Sequence, residues 1–199
     1  MPNWCNNTVT ISGPEDSIAA FIKAARGRMA NYNNAYFDGE AWPVHDEIRM
    51  KAAVKDPAPL DDEECSFCFN ALYPVPEDFR RFPFDNGRAN KLGEHVGEER
   101  AIGGYGWQSN NWGTKWDVGP DAEFSVIENQ YVEIEFMTAW SPPVSFFDKV
   151  CKDYPNLQFE LTYYEGGMGY AGRSTFAQGE LIEEIDLPIE DFYNEEEYE

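Results

Sequence analysis

The sequence predicts an α+β domain of the ferredoxin-like (split βαβ) kind: an antiparallel sheet with two helices on one face, long insertions and an extra C-terminal edge strand. Three observations lead there. Short runs of alternating polarity recur at 4–12, 123–128, 131–138 and 157–163. Two stretches with apolar residues at helical spacing lie between them, at 14–26 and 142–153. With the insertions set aside, the order is strand, helix, strand, strand, helix, strand.

In the first strand Cys5, Asn7, Val9 and Ile11 share one face. Gly13-Pro14-Glu15-Asp16 opens the first helix, with Pro at its start and acids against the positive end of the helix dipole. Ile18, Phe21, Ile22 and Ala25 form its apolar stripe, and Gly27 is a fitting stop. A second strand is expected at 65–71, with Cys65, Phe67, Phe69 and Ala71 on one face, ended by Tyr73-Pro74-Val75-Pro76. The runs 123–128 and 131–138, joined at Asn129-Gln130, make the best hairpin of the chain. There Val132, Ile134 and Phe136 point one way, Glu133 and Glu135 the other. Ser141-Pro142 starts the second helix, Ser as N-cap, with Val144, Phe147, Val150 and Cys151 buried. Leu157, Phe159, Leu161 and Tyr163 alternate in the next strand, and 173–179 adds the edge strand.

Length and composition fit one domain over 1–179, with insertions at about 28–64 and 77–121 and an acidic tail at 180–199. A short helix is expected around 45–54, and the chain beyond Leu187 is expected to be mobile. No apolar run reaches the roughly 18 residues that span a bilayer, and no signal-like segment opens the sequence. The expected location is the cytoplasm, with the four cysteines reduced.

Charge excludes a class of function. The chain carries 15 basic and 37 acidic residues, net −22. Ten of the acids lie in 180–199, which has no Lys or Arg, so the body remains acidic without them. Such a surface repels a phosphate backbone, so no direct nucleic-acid binding and no membrane binding are expected. Two interpretations stay open: acidity that only keeps the protein soluble, or a surface that imitates nucleic acid and occupies a basic site on another protein.

The chemistry-bearing motifs are few. Gly103 to Asp117 packs Tyr105, Trp107, Trp112 and Trp116 among glycines, with Asn111, Thr114, Lys115 and Asp117 as polar groups. Rings of this kind either build a pocket or partner-binding hot spot, or fold back as core over the sheet. Cys65-Ser66-Phe67-Cys68 has ligand-like spacing, but a strand sends the two sulfurs to opposite faces. Buried thiols are expected there; no metal and no cofactor are called for. His45 and His95 stand alone, and no nucleophile elbow, zinc-protease or phosphate-loop motif occurs.

Met1-Pro2-Asn3-Trp4-Cys5-Asn6-Asn7, Asn111-Trp112-Gly113-Thr114-Lys115-Trp116-Asp117, Trp140-Ser141-Pro142-Pro143 and Tyr164-Glu165 before a glycine-rich turn resemble the YubB/Api-type family. These motifs run in order over most of 1–176, while the 28–64 insertion and the acidic tail lie outside them. The resemblance implies a ferredoxin-like domain and a phage or plasmid origin, and transfers no catalytic residue. It also implies that Asn3, Trp4, the 111–117 loop and the Trp140-Ser141 corner meet in space. Taken together, a non-enzymatic protein that inhibits a basic host protein, one of host defence or nucleic-acid handling, is expected. The alternative is a binder of a small aromatic or nucleotide-like ligand through 103–117. The candidate binding residues are Tyr105, Trp107, Asn111, Trp112, Thr114, Lys115, Trp116, Asp117, Trp140 and Glu165. A third reading is an enzyme with Lys115, Asp117 and Glu165 around one pocket, although nothing in the spacing demands it.

Overall fold

The first alternating run becomes β1 (Trp4–Ser12), with Cys5, Asn7, Val9 and Ile11 buried. It lies at the centre of a six-stranded antiparallel sheet. The computed structural model describes residues 3–30, 60–80, 104–128 and 131–193. The other elements are α1 (Glu15–Ala25), α2 (Phe69–Leu72), α3 (Glu77–Arg80), α4 (Gly104–Trp112), β2 (Phe124–Glu128), β3 (Tyr131–Ala139), α5 (Val144–Asp153), β4 (Gln158–Glu165), β5 (Tyr170–Ala177) and β6 (Glu180–Leu187). A 3-10 turn follows at Ile189–Phe192.

The sheet order is β2-β3-β1-β4-β5-β6. The first four strands in that order, with α1 and α5 as crossovers, form the ferredoxin-like split βαβ pattern. The register sets the faces: Val9 lies between Ile134 and Leu161, and Thr10 between Glu133 and Glu160. Phe21 of α1 and Phe147 of α5 both pack on Phe159 of β4, at 5.3 and 5.7 Å between ring centroids, so both helices cover the same face. Phe67 extends that cover over β2 and β3, meeting Phe124 at 5.7 Å and Phe136 at 5.4 Å.

Several expectations are corrected. The strand expected at 65–71 does not form. Cys65 makes only a bridge to Gly27, and the chain then turns helical at Phe69. Phe67, Cys68, Phe69 and Asn70 are all buried, consecutive burial that a half-buried strand cannot give. The cause is distant: the Asp117 carboxylate accepts from the Phe69 and Asn70 amides and holds the turn. The stretch around 104–112 is a helix, despite its glycines and asparagines. Gly104, Trp107, Gln108 and Trp112 form its buried face, so packing overrides a weak intrinsic propensity.

The second helix begins at Val144 after Pro143, and the Ser141 hydroxyl donates to the Gly113 carbonyl instead of capping it. Phe146, absent from the expected stripe, is fully buried. At the C-terminal side two strands are added, not one. β5 spans Tyr170–Ala177, and Gln178 and Gly179, at φ 57 and 81, turn the chain into β6. The acidic segment from 180 thus enters the sheet as its edge. Beyond Leu187, the 3-10 turn stacks Phe192 on Tyr164 at 5.0 Å. The helix expected around 45–54, His45, His95 and most of the 28–64 insertion lie outside the described residues.

On β5, the Tyr163 ring from β4 and the β6 backbone close in on Gly172. A Cβ there would sit 2.5 Å from the Tyr163 hydroxyl and 2.9 Å from the Ile185 carbonyl. Gly172→Ala therefore forces a strand apart or displaces a buried ring, and costs about 1–3 kcal/mol in urea unfolding. An unchanged midpoint would mean that the β4–β6 edge adapts freely.

Candidate functional site

The motifs separated in sequence converge at one end of the sheet. Gly113, at φ 83, ends α4 in the left-handed conformation that glycine tolerates. A Cβ on it would lie 3.2 Å from the Pro142 carbonyl, so the loop rests against the start of α5. Thr114 donates its hydroxyl to the Ala139 carbonyl at 3.0 Å. Thr138 donates to the Ser141 carbonyl at 2.8 Å, and receives a bond from the Asn7 amide at 2.9 Å. The Trp140 amide donates to the Asn3 carbonyl at 3.0 Å, and the Trp140 carbonyl accepts from the Tyr170 hydroxyl at 2.8 Å. Trp4 and Trp116 meet at 5.8 Å. The expected meeting of Asn3, Trp4, the 111–117 loop and the Trp140-Ser141 corner is what the structure displays.

The ten candidate residues divide into two groups. Trp112, Trp107, Thr114 and Glu165 are buried. Trp112 packs on Phe69 and Trp107 and donates its indole N–H to the Tyr73 carbonyl at 3.0 Å. Trp107 stacks on Tyr73 at 5.4 Å. Glu165 accepts from the Gly167 and Met168 amides at 2.7 and 2.6 Å, shaping the β4–β5 turn. Asp117 accepts from Phe69, Asn70 and Val118 at 2.7, 3.0 and 2.9 Å. Desolvation outweighs those three donors and pushes its carboxyl up to about 6. Asn111 donates to the Trp107 carbonyl and accepts from Lys149, whose ammonium lies 4.7 Å over the Tyr73 ring. All of these serve the fold.

The second group is exposed or half-buried. Trp140 is 51% exposed and Trp116 half-buried. The Lys115 ammonium lies 5.1 Å over the Tyr105 ring and 5.4 Å over Trp116. Burial raises the Tyr105 hydroxyl above its ordinary value. Lys115, Asp117 and Glu165 each engage separate neighbours.

Met137 and Met168 were missed, and Trp4, expected at this corner, was not among the candidate binding residues; the three are exposed by 52, 74 and 44% at the same end. A signal existed for two of them. Trp4 and Met137 stand on the polar side of alternating strands, where an apolar residue is out of pattern.

The cysteines are all buried and unpaired. Desolvation pushes Cys5 up to about 11 and raises Cys65, Cys68 and Cys151 as well. Among the described residues, no three His, Cys, Asp or Glu side chains gather as metal ligands, and no helix is long and apolar enough to cross a membrane.

The remaining face of the sheet is acidic, and among the described elements the 3-10 turn covers part of it where Phe192 stacks on Tyr164. One row runs Glu133, Thr10, Glu160, Thr175, Glu183, and the next Glu135, Thr8, Thr162, Arg173. Among the described strand residues of this face, Arg173 is the one cation, 3.7 Å from Glu183.

Comparison with known proteins places this architecture. Residues 111–199 match a family model described as the ferredoxin-like domain in Api92-like protein. The fold is similar to the crystal structure of protein Api92 from Yersinia pseudotuberculosis, with a TM-score of 0.59 and 9% identity, over 94% of this chain and 98% of that one. No curated protein sequence matches. The matched region includes 180–199, so the acidic segment expected to lie outside the resemblance falls within it. Over residues 111–199 this chain therefore matches the ferredoxin-like domain of the Api92-like family, and its whole fold is similar to that of Api92.

Proposed function

We propose that this chain is a phage- or plasmid-borne, non-enzymatic binding protein that uses the acidic face of its sheet to occupy a basic surface on a host protein. A host protein of defence or nucleic-acid handling fits, because such a protein already carries a basic site for phosphates. The observation that carries this reading is the charge of that face: Glu133, Glu135, Glu160 and Glu183 against Arg173 alone among the described strand residues. Carboxylates spaced on a rigid sheet present fixed negative charge without a phosphate backbone. The nucleotide-like ligand is not carried forward. Trp107 and Trp112 are consumed by the core, and a phosphate would approach a repulsive face.

Glu133→Gln/Glu135→Gln/Glu160→Gln keeps side-chain size and removes three charges. Basic proteins captured from a bacterial lysate by the wild type at low salt should be lost by this variant. Capture should also fall at least tenfold as ionic strength rises from about 0.05 to about 0.5 M. Equal capture by both proteins, or capture indifferent to salt, sinks the reading.

A further inference from the structure

One residue in this fold is held where its type does not belong. Trp140 has φ 74, the left-handed region that bulky residues avoid and that glycine or asparagine occupies readily. Four hydrogen bonds fix the corner around it: Trp140 to the Asn3 carbonyl, Tyr170 to the Trp140 carbonyl, Thr138 to the Ser141 carbonyl, and Ser141 to the Gly113 carbonyl. The strained backbone does not bury the ring, because Trp140 remains 51% exposed. A tryptophan that gains so little core yet sits in so costly a backbone is a ring on display.

Trp4, paired with Ala139, and Met137, three positions before Trp140 on β3, are exposed by 44 and 52%, and Met168 in the β4–β5 turn is 74% exposed. Tryptophan and methionine are the residues in which binding surfaces concentrate their energy. The patch continues into the acidic face. Met137 and Glu135 lie on the same side of β3, and Glu133 follows in the same line. Successive same-face positions on a strand are about 7 Å apart, the spacing of alternate side chains in an extended peptide.

We propose that Trp140, with Trp4 and Met137, is an anchor site for a cationic side chain, arginine above all, of a basic polypeptide segment laid along the acidic face. This rests on the reading of that face as the binding surface, and adds the anchor and the chemistry of its occupant. Charge selects among occupants. A net charge of −22 opposes a second copy of this chain, a nucleic acid and an anionic membrane alike, and favours a basic segment. Indole is the best cation–π acceptor among side chains, and an arginine on it leaves neighbouring cations free to reach Glu135 and Glu133.

The test uses the full chain and two labelled peptides, one alternating arginine with serine, the other with citrulline in place of arginine. Fluorescence anisotropy should show the arginine peptide binding at least tenfold more tightly. Trp140→Asn should weaken that binding at least tenfold while the urea midpoint stays the same or rises, since asparagine tolerates the backbone. Met137→Thr, on an exposed strand position, should weaken it severalfold and serves as the deciding variant should Trp140→Asn unfold. The Glu133→Gln/Glu135→Gln/Glu160→Gln protein should lose affinity and salt dependence separately. If both anchor variants bind like the wild type while the charge variant does not, the anchor is wrong and the acidic face stands. If no variant matters, or single-stranded DNA binds better than the arginine peptide, both fall.

Discussion

Trp112→Ala should remove about 3–5 kcal/mol of stability, the largest loss of any single change considered. The ring is fully buried. It packs edge-on against Phe69 at 5.5 Å and Trp107 at 5.8 Å, and its indole N–H satisfies the Tyr73 carbonyl. Truncation therefore leaves a cavity among aromatic rings that cannot easily collapse, together with a buried acceptor that has lost its donor. Domains are stable by only about 5–15 kcal/mol, so much of the total is at stake. Trp112→Phe separates the contributions: it keeps most of the packing, loses the hydrogen bond, and should cost markedly less. Urea unfolding of the three proteins is the measurement. A loss below about 1 kcal/mol for the alanine variant would mean that α4 is not part of the cooperative core.

The elements legible in the sequence were those whose signal is local. β1, β3 and β4 alternate cleanly because one face meets the core and the other water. Ile18, Phe21 and Ala25 repeat at helical spacing for the same reason. What was misread depends on distant partners. The run Cys65 to Ala71 alternates like a strand, yet a carboxylate from residue 117 bends it into a helical turn. The α4 segment has no strong propensity, and its helix exists because Trp107 and Trp112 find the core. β6 is exposed along most of its length as the sheet edge, so it carries no alternating signal and its charges read as a tail. Its turn was in view, since Gln178-Gly179 is a fair two-residue hairpin pair.

The candidate site was legible as a neighbourhood more than as a list of roles. The motif residues do converge, but most of them build the corner and few present themselves to a partner. Thr114, Glu165 and Asp117 spend their polar atoms on backbone groups. That division has a physical logic. A ring can be displayed on strained backbone only where the surroundings over-determine it, and Thr114, bonded to the Ala139 carbonyl, supplies part of that surrounding to Trp140.

Asp117 makes the same point with a sign that can be measured. Asp117→Ala leaves the Phe69, Asn70 and Val118 amides without their acceptor, and should cost about 2–4 kcal/mol in urea unfolding. The wild type adds a pH dependence. Burial pushes its carboxyl up to about 6 from an ordinary 3.8, so the folded chain holds this proton more tightly than the unfolded one. The stability linked to the protonated form is then complete below about 3.8 and is lost as pH rises through about 6. At about 1.4 kcal/mol per pKa unit, the whole loss is at most about 3 kcal/mol, roughly half of it between pH 5 and 7. That window lies above the isoelectric point near 4.3, where the protein is charged enough to study. Asp117→Asn pays a fixed cost for a misplaced amide but cannot titrate. The stability difference, wild type minus Asp117→Asn, should therefore shrink as pH rises from 5 to 7. A flat difference over that window would mean that the folded pKa is not raised above the unfolded value. A difference that grows as pH rises from about 2 to about 5 would show that the three amide donors outweigh burial and hold Asp117 ionised as a charged cap.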